Sequence, residues 1–107
     1  MKIAIAGPYS APTPEQRQKN LDLMNEAAAR VYELGHIPLI GVNAALPVLQ
    51  KSRTTEPYRL IMDISLALVG DCDALLLIGE SPGANKERDL LLSQNKPVYH
   101  SIAGIPL

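Results

Sequence analysis

The segment Ser81-Pro82-Gly83-Ala84-Asn85-Lys86-Glu87 sets a serine, a proline and a glycine ahead of a helical stretch and then places a carboxylate within it. The spacing predicts a helix from about Ala84 to Asn95, with Glu87 in its first turn, where the macrodipole favours an acid by about 0.3–1 kcal/mol. That effect alone would account for the residue. The spacing has a second consequence, however. Ala84, Glu87 and Leu91 lie three and four residues apart and so share one helical face, and Leu91 is the residue that must meet the core. Glu87 is therefore expected to point inward, beside a glycine loop with free backbone N–H groups. An inward carboxylate with a lowered pKa is a competent nucleophile toward an oxocarbenium-like sugar carbon.

Other residues able to do chemistry fall in separate segments. Gly7, Pro8, Tyr9 and Ser10 follow the first apolar run, Asn43 lies in the loop after the second, and Asp63 borders the apolar stripe of a helix. Each has a structural reading as well: Gly7 and Pro8 as turn formers, Tyr9 as a surface tyrosine, Asp63 as a solvated helical acid. Asp71 and Asp73 read as cap and turn residues around Cys72, and His36 and His100 read as structural.

The elements that would position these residues alternate in period. Residues 2–6 (KIAIA) form an apolar strand running into a loop. Thr13 and Gln16 form a capping-box pattern with Pro14 at the first helical position. Gly35 marks the other end, and Leu21, Met24, Ala28, Val31 and Leu34 recur at helical spacing between them. Residues 36–41 read as a short strand near an edge because of Pro38, and residues 42–54 as a loop with a short helix, because Pro47 interrupts them. A second long helix opens at Thr55, Glu56 and Pro57, with the stripe Leu60, Ile61, Ile64, Ala67 and Leu68 and an end near Gly70. Residues 74–79 (ALLLIG) read as a central strand covered on both faces, and residues 97–101 (PVYHS) as the last strand. The order implies one α/β domain spanning residues 1–107, Rossmann-like and doubly wound, on a four- or five-stranded parallel sheet. In such sheets ligands sit beyond the carboxyl ends of the strands, which brings the candidate residues to one edge.

Composition narrows the function classes. A chain of 107 residues with 47% hydrophobic content suits one core, and four tyrosines with no Phe or Trp provide few stacking platforms for single strands. A net charge of −1 suggests no grip on a nucleic acid polymer. The single cysteine reads as a buried thiol. No apolar run approaches the roughly 18 residues of a membrane span or forms a signal segment, so a cytoplasmic protein is expected.

In order along the chain, the stretches IAGPYS, MDISLALVGDCDALLLI, SPGANKE and KPVY resemble the nucleoside 2-deoxyribosyltransferase-like superfamily, which includes the 2'-deoxynucleoside 5'-phosphate N-hydrolases. The resemblance implies cleavage of the N-glycosidic bond of a nucleoside or nucleoside 5'-monophosphate through a covalent glycosyl-enzyme intermediate, resolved by water or by a second base. Carried onto this chain, it makes Glu87 the nucleophile, Asp63 an acid that holds and polarises substrate, and Tyr9 a residue at the pocket. Gly7, Pro8, Ser10, Asn43, Ser81 and Gly83 become substrate contacts. Serine at position 81 matches the N-hydrolases, in which this loop lies near the substrate phosphate. No metal or other cofactor is implied, the partner is a small molecule rather than a membrane or a polymer, and a homodimer is expected. The competing expectations are a non-catalytic nucleotide-binding module of the same fold, with Glu87 as a helix residue or a ribose contact, and a partner-binding domain with a vestigial site.

Overall fold

The computed structural model describes residues 1–107. Four parallel strands, β1 (Lys2–Ala6), β2 (Ile37–Leu39), β3 (Ala74–Leu77) and β4 (Val98–Tyr99), form one sheet in the order β2-β1-β3-β4. Four helices connect them: α1 (Pro14–Glu33), α2 (Gly41–Lys51), α3 (Pro57–Val69) and α4 (Pro82–Ser93), with a 3-10 turn at Ile102–Gly104. The expected α/β class and doubly wound, parallel topology hold, with four strands. No helix is long and apolar enough to cross a membrane.

The two inner strands alternate between two cores because successive side chains leave a strand on opposite faces. Ile3, Ile5, Ala74 and Leu76 join Met24, Ala27 and Val31 of α1 on one side. Ala4, Ala6, Leu75 and Leu77 join Val69 of α3 and Ala84 and Leu91 of α4 on the other, together with Cys72. The register is consistent with this split, since Ile3 pairs with Ala74 and Ile5 with Leu76. Cys72 is fully buried, and burial pushes its thiol pKa up, which keeps it a packing residue.

Helix ends follow the sequence closely where capping chemistry is local. Thr13 Oγ1 accepts a hydrogen bond from the Gln16 N–H at 3.2 Å, while the Gln16 side chain turns to Asn20, so only half of the capping box forms. At the other end Gly35 adopts φ +97°, its N–H donating to Tyr32 O and the His36 N–H donating to Val31 O, the paired bonds of a Schellman turn. Asn95 (φ 58°) closes α4 in the same way. Thr13→Ala is expected to lower stability by about 1 kcal/mol in chemical denaturation, the usual value of an N-cap oxygen.

Three expectations are corrected. Residues 41–51 form an 11-residue helix rather than a loop with a short helical turn. Pro47 removes one helical hydrogen bond, but Val42, Ala45, Leu46 and Leu49 recur at helical spacing on the covered face, and the proline lies on the exposed one. The chain therefore places two consecutive helices between β2 and β3. Helix α4 begins at Pro82, because Ser81 is its N-cap, its Oγ accepting from the Ala84 N–H at 3.1 Å. Glu87 consequently sits in the second turn, beyond the reach of the dipole argument. The buried face of α3 is Met62, Ser65 and Val69, rotated from the expected stripe; Ile61 is half-buried and Ala67 is exposed.

Candidate active site

A cavity of about 580 Å³ opens beyond the carboxyl ends of β1, β2 and β3 and is closed on one flank by α3. Strand order reverses between β1 and β3, and crevices at such switch points are where open α/β sheets hold ligands. Ile5, Met24, Ile40, Val42, Ile61 and Met62 supply the apolar wall. Of the residues marked out by sequence, Gly7, Tyr9, Ser10, Ser81, Gly83 and Glu87 line this cavity.

The loop after β1 is fixed by α1. Asn20 Nδ2 donates to Tyr9 O at 3.0 Å and an Arg17 Nη1 proton goes to Ala11 O at 2.9 Å, so the helix one turn past its start holds Tyr9 at the cavity. Gly7 is required by close approach, since a methyl group there would lie 2.6 Å from Ile78 Cγ1. Gly83 packs under Met62, whose sulfur would be 3.2 Å from an added carbon. Polar residues of α1 that sequence periodicity assigns to a solvated face thus shape the site.

Glu87 is 7% exposed and is the only carboxylate lining the cavity. Its inward orientation agrees with the shared face of Ala84 and Leu91, both buried. Its ionisation differs from expectation. Burial among apolar groups, offset by no ion pair or hydrogen bond to the carboxylate, raises the pKa to about 7 instead of lowering it. Near neutral pH the side chain is thus divided between acid and carboxylate. The two charged residues that follow turn elsewhere: Arg88 donates to Glu80 at 3.1 Å and to Asp89 at 3.0 Å.

Viewed as a whole, the chain has the fold of a 2-deoxyribosyltransferase. Its structure superposes on that of the enzyme from the psychrotolerant bacterium Bacillus psychrosaccharolyticus with a TM-score of 0.61 and 19% identity, over 95% of this chain and 76% of that one. That protein is described as a biocatalyst for the synthesis of antiviral and antitumoral nucleosides. No protein-family model matches the sequence, and no curated protein matches it.

Three marked residues lie outside the cavity. Asp63 is on the solvent side of α3, its side chain 72% exposed and 4.0 Å from Arg59, beside a shallow groove next to Val48. Pro8 packs at Gly79, and Asn43 donates to Asn25 Oδ1 at 2.8 Å. Asp63→Asn is expected to change stability by less than about 0.5 kcal/mol, as for an exposed ion pair, measured by urea unfolding. A loss of more than about 1 kcal/mol would mean that Asp63 has a buried partner.

Four cavity residues carried no sequence signal. Ser65 is 2% exposed and reaches the cavity from α3; Gly41 lies against it; Tyr58 and Lys86 sit at the rim, with Lys86 Nζ 5.0 Å from the Tyr58 ring centre. Ser65 was hidden because a serine in an apolar helix reads as a surface position. It lies 200° around the helix from Asp63, so the orientation that turns Asp63 outward turns Ser65 inward.

Proposed function

We propose that this chain cleaves the N-glycosidic bond of a nucleoside or a nucleoside 5'-monophosphate, with Glu87 as nucleophile. The observation that carries the reading is a single carboxylate, buried and unpartnered, in a largely apolar cavity at the switch point of a fold shared with a 2-deoxyribosyltransferase. In the first step an ionised Glu87 oxygen bonds to C1' as the C1'–N bond breaks, its electron pair leaving with the base. The resulting glycosyl ester is then opened by water, giving hydrolysis, or by a second base, giving exchange. Tyr9, Ser10, Ser81 and Gly83 contribute sugar or phosphate contacts, and Lys86 is the only cation on the cavity wall. No step calls for a metal or an organic cofactor.

The decisive experiment is incubation with a panel of nucleosides and nucleoside 5'-monophosphates, followed by chromatography for free base, with an added second base to separate exchange from hydrolysis. Base release from none of them overturns the reading. Binding without release, seen as a ligand-induced rise in Tm, would assign the chain to the non-catalytic binding class.

A homodimer forms part of this reading, since the cavity is open on one side and a neighbouring subunit would close it. Light scattering is expected to give twice the monomer mass of 11.6 kDa, and a monomer at all accessible concentrations removes the claim.

A further inference from the structure

Two polar side chains are buried in the cavity, and the proposed reaction uses only one of them. The second is Ser65. It makes no hydrogen bond to the protein, and its hydroxyl opens to the cavity instead of being sealed in the core. Ser65 is 2% exposed as a residue, and its hydroxyl, without a partner in the protein, is left to be satisfied from the cavity, which points to a ligand group.

Its setting indicates what that group is. Ser65 is packed against Gly41, the first residue of α2, where an added methyl would fall 2.7 Å from both the Ser65 Cβ and Oγ. Helix α2 has Ile40 at its N-cap position and therefore no side chain to cap its first turn. The N–H groups of Gly41 and Val42, both cavity residues, are left without helical partners. A free hydroxyl and an open helix start thus meet at one end of the cavity, and both the backbone donors and the helix dipole favour an electron-rich acceptor.

We propose that Ser65 and the start of α2 form a donor site for the departing base, binding its carbonyl oxygen or ring nitrogen and stabilising the negative charge that collects there as the glycosidic bond breaks. The assignment rests on the function proposed above. It also supplies what that mechanism lacks, because Glu87 is the only carboxylate in the cavity and leaves no second carboxylic acid to protonate the leaving group. The bond's electron pair stays on the base, delocalised onto the acceptor atom held by Ser65, and the base takes its proton from solvent after release. Stabilisation by preorganised donors then takes the place of general acid catalysis.

The test compares wild type with Ser65→Ala on substrates of graded leaving ability. With a poor leaving group, an ordinary oxo-base, kcat is expected to fall about 10- to 100-fold. With p-nitrophenolate as an activated leaving group, the fall is expected to stay below about threefold, so the dependence of rate on leaving-group pKa steepens. Equal losses on both substrates, or none on either, would overturn the assignment. Binding gives a readout independent of turnover: the free oxo-base should raise the Tm of wild type, and the Ser65→Ala protein should need at least about tenfold more base for the same rise. If no substrate is cleaved, the functional reading fails, while the binding comparison still decides whether Ser65 holds a base. Should the alanine variant fold poorly, Ser65→Cys, which keeps the volume with a weaker donor, is expected to show the same leaving-group pattern.

Discussion

Replacing Glu87 with Gln is expected to abolish base release and, above pH 7, to make the protein more stable. An amide of the same size cannot readily form the glycosyl ester, so a loss of three or more orders of magnitude in kcat is expected, while ligand binding through Tyr9, Ser81 and the loop backbones survives. The stability change has the opposite sign to that of a helix-stabilising acid. The folded-state pKa of Glu87 is about 7, against 4.5 for a free glutamate side chain. Below about pH 4.5 the group is neutral in both states and contributes nothing. Between about 4.5 and 7 the unfolded chain ionises while the folded one does not, so stability falls, and above 7 the deficit is complete at about 3 kcal/mol. Gln removes this pH dependence. Urea unfolding of both proteins at pH 4 and pH 8 measures it: a variant less stable than wild type at pH 8 would contradict the burial argument. With Glu87 as the proposed nucleophile, the same ionisation should make kcat/KM of wild type rise as pH passes through about 7.

Gly41→Ala is expected to damage fold and site together. The added methyl meets Ser65 Cβ and Oγ at 2.7 Å and Ser65 Cα at 2.8 Å. The backbone contact means that rotation of a side chain cannot relieve the overlap, and α2 must move away from α3. Overpacking of this kind costs about 1–3 kcal/mol. Because the displaced helix start lines the cavity, catalysis should fall by at least about tenfold even at temperatures where the variant remains folded. Urea unfolding and base release assayed together separate the two effects. An alanine variant with wild-type stability and activity would show that α2 and α3 are not held this tightly.

The residues of this chain determine its architecture wherever the signal is local. Thr13 and Gly35 bound α1, Asn95 closes α4, and the unbroken apolar run Ala74–Leu77 becomes the strand buried on both faces, because caps, left-handed turns and apolar runs act over a few neighbours. The inward face of Glu87 was legible for the same reason, since Leu91 four residues later must meet the core. Tertiary structure decided matters that depend on partners distant in sequence. The ionisation of Glu87 depends on apolar groups brought from other elements, and helix spacing carries no information about them. Helix α2 forms despite Pro47 because α3 packs on its apolar face. The orientation of α3 is the sharpest case: hydrophobic periodicity favoured Leu60 and Ile64, whereas packing buried Ser65 and exposed Asp63. A cavity inverts the rule that polar residues face water, because a hydroxyl that opens onto a cavity belongs to the core in geometry while keeping open space at its polar atom.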